Sequence, residues 1–176
     1  MNPSFALREA RPEDVPAIVG LIRELAEYER QPRDCHADPT LLREHLFGSR
    51  RFCEAVMAEA GRITCGFALF FHNYSTWLTR PGLYLEDLYV KPGFRARGVG
   101  RALLAKLAEI AVARGCGRME WSVLKWNEPA IGFYRKLGAV PMGEWQVYRL
   151  EGNPLSALGS GAAPPGRHGA GGPPPR

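Results

Sequence analysis

Between Leu83 and Ala113 a strand-like run, a break, a glycine-containing loop and a long helix follow one another without a gap. Leu83 to Lys91 is rich in apolar and aromatic side chains, and Pro92-Gly93 stops it. From Gly98 to Ala113 the residues Leu103, Leu104, Leu107, Ile110 and Ala111 recur at helical spacing and make one apolar face. A strand that feeds a helix through a short loop must bury both apolar faces against other elements. That requirement restricts the chain to a layered arrangement of helices on a sheet.

The remaining segments fit the same arrangement. Phe5 to Glu9 is a short strand. Pro12-Glu13-Asp14 opens a helix, with proline and acids in the favoured first turn, and Val15, Ile18, Ile22 and Leu25 form its buried face. Pro39 to Leu46 reads as a shorter helix. Phe52 to Glu59 and Ile63 to Phe71 read as strands joined by Ala60-Gly61-Arg62. Met119 to Leu124 is a strand, Glu128 to Leu137 a helix, and Trp145 to Leu150 a closing strand. The pattern predicts one α/β domain over residues 1–150. From Glu151 to Arg176, seven of 26 residues are Gly and six are Pro. Such a segment buries too little apolar surface to offset the entropy of ordering it, so a disordered tail is expected there.

The charge and the cysteines exclude several function classes. Net charge is +5, but no run of Lys and Arg with interleaved aromatics appears, so no nucleic-acid partner is expected. The longest apolar run, Ile63 to Phe71, is about half of the ~20 residues that span a bilayer, so no membrane partner is expected either. The four cysteines, at positions 35, 53, 65 and 116, match no zinc spacing, and no histidine pair has ligand spacing. No metal is expected, and a reducing cytoplasmic location is.

The chemistry lies in the loop Arg95-Ala96-Arg97-Gly98-Val99-Gly100. A helix N-terminus exposes unpaired backbone N–H groups and the positive end of the helix dipole, both of which favour a phosphate. Glycines let an anion approach the backbone, and Arg95, Arg97 and Arg101 add positive charge. The loop lacks the Gly-Lys-Ser/Thr ending of a P-loop and is not Gly-x-Gly-x-x-Gly. Taken alone, it is also compatible with an ordinary helix start.

A second constellation, Trp126-Asn127-Glu128-Pro129-Ala130-Ile131-Gly132-Phe133-Tyr134, follows a strand and builds a helix ended by Gly138. With both motifs in this order, the chain resembles the GNAT superfamily of acyl-CoA-dependent N-acetyltransferases. Leu21 to Glu29, Tyr84 to Val90 and Trp126 to Pro129 look like its diamine acetyltransferase branch, which includes enzymes of spermidine and spermine and of thialysine. The resemblance covers roughly Ala6 to Leu150 and implies a mixed, mostly antiparallel central sheet, acetyl-CoA as cosubstrate and a homodimer.

Residue by residue, it implies that Arg95, Ala96, Arg97, Gly98, Val99, Gly100 and Arg101 hold the pyrophosphate. It implies that Leu88, Tyr89 and Val90 hold the pantetheine arm as an added strand would, and that Asn127, Glu128, Pro129 and Ala130 form a second cofactor segment. Tyr134 is implied as the proton donor to the departing thiolate. Glu86 is implied at the amine, as base or as ammonium anchor, and Tyr28, Glu29, Tyr74 and Ser75 match substrate-side positions. An alkyl amine has a pKa near ~10.4, so its proton must be removed before attack. Strand alternation places Glu86 and Asp87 on opposite faces, which argues against a paired-carboxylate dyad.

The acceptor pattern departs from the polyamine enzymes. Ser75 stands where they have an aspartate, within Tyr74-Ser75-Thr76-Trp77, which looks like the thialysine relatives; Lys125 stands where the family often has an acid. A small primary amine is expected, thialysine-like or a short diamine. The alternatives are a polyamine or protein N-acetyltransferase, or a domain that binds acyl-CoA without catalysis.

Overall fold

The structure, a computed structural model, describes residues 5–161. The chain divides into two compact units, residues 1–131 and 132–176. The first holds strands β1 (Ala6–Glu9), β2 (Glu54–Ala60), β3 (Ile63–Ser75), β4 (Arg80–Val90) and β5 (Met119–Trp121), with helices α1 (Val15–Tyr28), α2 (Pro39–Phe47) and α3 (Val99–Ala113). The strands form one mixed sheet in the order β1-β2-β3-β4-β5, antiparallel except for the parallel β4–β5 pair. The α/β class and the mostly antiparallel sheet agree with the sequence.

Each face of the sheet has its own cover. Ile18 and Leu21 of α1 and Leu46 of α2 pack with Ala55, Met57, Phe67, Leu69 and Tyr89. Helix α3 buries Leu103, Leu104, Leu107 and Ala111 and packs on β2, β3 and β4. This apolar burial is the main favourable term in forming the unit. Beyond the C-terminal end of β4, which carries buried Tyr89, the chain turns into α3.

Two irregularities shape that end of β4. Leu85 pairs with Phe70 and Asp87 with Leu69, so Glu86 is an extra residue, a β-bulge. The bulge breaks the alternation expected for Glu86 and Asp87. Leu85 and Asp87, which a regular pleat would put on one face, lie on opposite faces. Strand β5, in turn, pairs with β4 only at Leu83, Tyr84 and Leu85. From Glu86 to Val90 the β5-side edge of β4 is therefore not paired by β5.

Helix α4 (Glu128–Lys136) begins in the first unit, and Gly132 opens the second, which also holds α5 (Gly152–Gly159). Two expectations change here. Trp145 to Leu150 forms no strand: Val147 and Tyr148 are 83% and 87% exposed. Alternating apolar residues make a strand only where a sheet edge accepts their backbone, and that condition is not in the local sequence. The segment expected to lack order contains α5, and its residues 162–176 lie outside the described ones. No helix among the described residues is long and apolar enough to cross a membrane.

Candidate active site

The cationic end of the site is built locally. After β4, a single 3-10 turn at Pro92–Phe94 leads into the loop, where Ala96 and Gly98 take left-handed φ values of 58° and 87°. A Cβ on Gly98 would meet nothing within 4 Å, so glycine is needed there for its conformation rather than for space. Gly98 is the N-cap of α3 and no side chain caps it, which leaves the first-turn N–H groups available. Arg97 and Arg101 are exposed beside them. This arrangement fits the pyrophosphate of a CoA thioester.

Arg95 is held differently. Its Nε donates to the Val90 carbonyl at 2.9 Å, and its guanidinium lies 4.6 Å from the Tyr28 ring and 5.6 Å from that of Tyr89. Tyr28 packs on Trp126 at 6.0 Å, Arg30 lies over Trp126 at 4.9 Å, and the Tyr28 hydroxyl donates to Asn127 Oδ1 at 3.0 Å. Asn127 is buried, and the same oxygen accepts from the Ala130 N–H at 3.4 Å, as the N-cap of α4. The structure thus brings Tyr28, Tyr89, Arg95 and Asn127 into one stack and uses the Asn127 side chain to start a helix. Glu128 and Pro129 are exposed in its first turn.

The anionic end is assembled from distant segments. Asp87 projects from the bulged strand toward α1. There it lines a cavity of about 210 Å³ with Ile22, Leu25 and Ala26 of α1 and Gln31, Asp34 and Cys35 of the following turn. Burial, then the charges of Glu86 and Glu29, push the Asp87 carboxyl up to about 6. Burial alone raises Glu29. Among the described residues, none of Glu29, Asp34, Glu86 and Asp87 forms an ion pair. A smaller cavity, of about 60 Å³, lies at the N-terminal end of β2, lined by Glu9, Arg51, Glu54 and Phe70 among others, and shares no lining residue with the first.

Asp87 is the functional candidate that sequence reasoning set aside. The signal was the Glu86-Asp87 pair itself, and the bulge that turns Asp87 inward is not legible in the residues. Glu86 is exposed on the bulge. Tyr74 and Ser75 are not near it within the chain. They pair with Pro81 and Arg80, five and six residues along β3 from the Leu69–Asp87 pair, or about 17 and 20 Å at ~3.3 Å per residue. Ser75 is buried and its Oγ accepts from the Leu78 N–H at 3.2 Å, so it closes a turn. Lys125 is exposed. In the second unit, Tyr134 is half-buried on α4 with its ring 5.3 Å from Phe133.

Comparison with known proteins places this geometry. The family model described as Acetyltransferase (GNAT) family matches residues 18–139. A thialysine N-epsilon-acetyltransferase from Bos taurus is 37% identical over 163 residues, 86% of this chain and 95% of the relative. An L-ornithine N5-acetyltransferase from Arabidopsis thaliana is 43% identical over 96 residues, 54% of this chain and 42% of the relative. Among solved structures, an integron cassette protein from the mobile metagenome of V. cholerae superimposes with a TM-score of 0.74 at 28% identity, covering 89% of this chain and 98% of that one. With the family model matched across both the loop into α3 and the start of α4, and a relative 37% identical over 86% of this chain, the chain belongs to the acetyltransferase (GNAT) family.

Proposed function

We propose that the protein transfers the acetyl group of acetyl-CoA to the primary amine of a small molecule, thialysine-like or a short diamine, by direct attack on the thioester. The observation that carries this reading is Asp87: a carboxyl pushed up to about 6, facing an open cavity whose lining has no cation among the described residues. Relatives named for thialysine and ornithine acetylation support the substrate class.

In this mechanism the Arg97, Gly98, Val99, Gly100 and Arg101 segment holds the pyrophosphate, and the open edge of β4 from Leu88 to Val90 takes the pantetheine arm. Arg95, pinned to Val90 and Tyr28, keeps that edge and the loop in register. The ammonium enters the acidic cavity, and Asp87 takes its proton, directly or through water. A base near pKa 6 is far better matched to an amine than an unperturbed aspartate at ~3.9. Glu86 and Glu29 act through their charges, attracting the ammonium and raising Asp87. The amine nitrogen bonds to the thioester carbonyl carbon and releases its surplus proton to solvent, the C–S bond breaks, and Tyr134 protonates the departing thiolate and recovers its proton from solvent. Positioning supplies much of the remaining acceleration.

The test is a thiol-release assay over an amine panel, run beside Tyr134→Phe. Thialysine is expected to exceed spermine in kcat/KM, and comparable values would overturn the preference for a small acceptor. Tyr134→Phe is expected to lower kcat by about a hundredfold or more with little change in either KM; full activity would remove Tyr134 from the mechanism. We also infer a homodimer in the cytoplasm. The four free cysteines support a reducing compartment, and sedimentation of the purified chain tests the dimer.

A further inference from the structure

The turn after α1 is unusually well defined for a substrate-facing loop. Gln31 N–H donates to the Ala26 carbonyl at 2.9 Å and Arg30 N–H to that of Glu27 at 3.1 Å, the two bonds of a Schellman motif. Arg30 takes the left-handed position with φ 62°, although it is not glycine. Its guanidinium over Trp126 offsets part of that cost. Pro32 then fixes the next φ, a 3-10 turn covers Pro32–Asp34, and the Cys35 N–H donates to the Pro32 carbonyl at 3.4 Å. Asp34 is therefore held at the cavity by backbone geometry.

We propose that Asp34 determines acceptor specificity by holding the far ammonium of a doubly cationic amine whose near nitrogen meets Asp87. This rests on the acetyltransferase reading above and adds a residue to it. Asp34 and Asp87 line the same cavity, and Ile22, Leu25 and Ala26 line the apolar stretch against which a short methylene chain packs. Among the described residues, Asp34 and Asp87 have no ion-pair partner, and the cavity lining includes no Arg, Lys or His. A carboxylate at the far end rewards a second positive charge on the acceptor.

Three acceptors of matched chain length isolate the effect: n-butylamine, 1,4-diaminobutane and ornithine, with one, two and two positive charges and a carboxylate only on the last. Steady-state thiol release and calorimetric binding of each amine are measured for the wild type, Asp34→Asn and Asp34→Lys, with melting temperatures confirming that all three fold. The wild type is expected to show a lower KM for 1,4-diaminobutane than for n-butylamine. Asp34→Asn raises that KM roughly threefold to fivefold, the strength of an exposed ion pair, and Asp34→Lys raises it by about tenfold or more. In both variants kcat is unchanged, the KM for ornithine rises with that for 1,4-diaminobutane, and the KM for n-butylamine moves less than either. The proposal is overturned if n-butylamine weakens as much as the diamine, or if the diamine KM and Kd do not move. If the wild type releases thiol with none of the amines, the acetyltransfer reading is what fails. Calorimetry then still decides the role of Asp34, because equal Kd values for 1,4-diaminobutane in wild type and Asp34→Lys overturn it.

Discussion

The two ends of the site lie at neighbouring stretches of β4 and are made in opposite ways. The end proposed for the pyrophosphate, Arg95 to Arg101, is cationic, mostly exposed and encoded by one contiguous stretch. The acceptor end is anionic and half-buried. It is assembled from the C-terminal part of α1, the turn Gln31–Cys35 and the bulged residue pair Glu86-Asp87. A helix N-terminus brings its N–H groups and dipole with it wherever the helix forms. A raised carboxyl needs burial and like charges, and both come only from packing. One end is local chemistry and the other is tertiary.

The largest effect is expected at the assembled end. Asp87→Asn should lower kcat/KM at pH 7 by about a hundredfold, the lower range for loss of a general base, while the KM for acetyl-CoA stays nearly constant. Stability should move the other way. Because the folded-state pKa of Asp87, about 6, lies above its unfolded value near ~3.9, the native protein binds the extra proton between those values. Stability then falls as pH rises from about 4 to about 6 and is level above. The variant lacks this loss and should be more stable at pH 7, by up to about 2–3 kcal/mol. Thermal unfolding at pH 4.5 and pH 7 checks it, and a less stable Asp87→Asn at pH 7 would break the claim that this carboxylate is ionised at a cost.

At the local end, Gly98→Val forces a β-branched residue into the left-handed region and should raise the KM for acetyl-CoA by about tenfold with kcat nearly intact. A variant that instead altered the amine KM would show that the two ends are not separable. Glu86→Gln removes one of the charges that raise Asp87. It should move the acid limb of the kcat/KM profile to lower pH by less than one unit, with no effect on cofactor binding. The smallest change is expected for Ala96→Gly, which relieves a positive φ of 58° and should raise stability by up to about 1 kcal/mol.

The contrast also sets how much of the protein was legible before folding. The order of strands and helices through α4 and the helix starting at Gly98 follow from periodicity and breakers, which act over a few residues, while the mostly antiparallel sheet was implied by the family resemblance. Two readings failed for related reasons. Trp145 to Leu150 alternates like a strand but forms none, because pairing depends on an available edge rather than on pattern. Glu86 and Asp87 do not follow the strand alternation, because the extra residue at Glu86 is defined only by the partner strand β3. The resemblance implied substrate and cofactor roles for Ser75 and Asn127, yet their side chains are buried in a turn and in a helix cap.

The sequence by itself determined the helix start after Gly98, the three arginines around it and the order of strands and helices that carries it. Their physics is local and contiguous. Only the tertiary structure decided that Asp87 faces a cavity with Asp34, that Glu29 and Glu86 raise it, and that Arg95 is spent on Val90 and Tyr28. Each of those depends on segments brought together by a bulge, a Schellman turn and the packing of α1 on the sheet, and burial and charge act through space rather than along the chain.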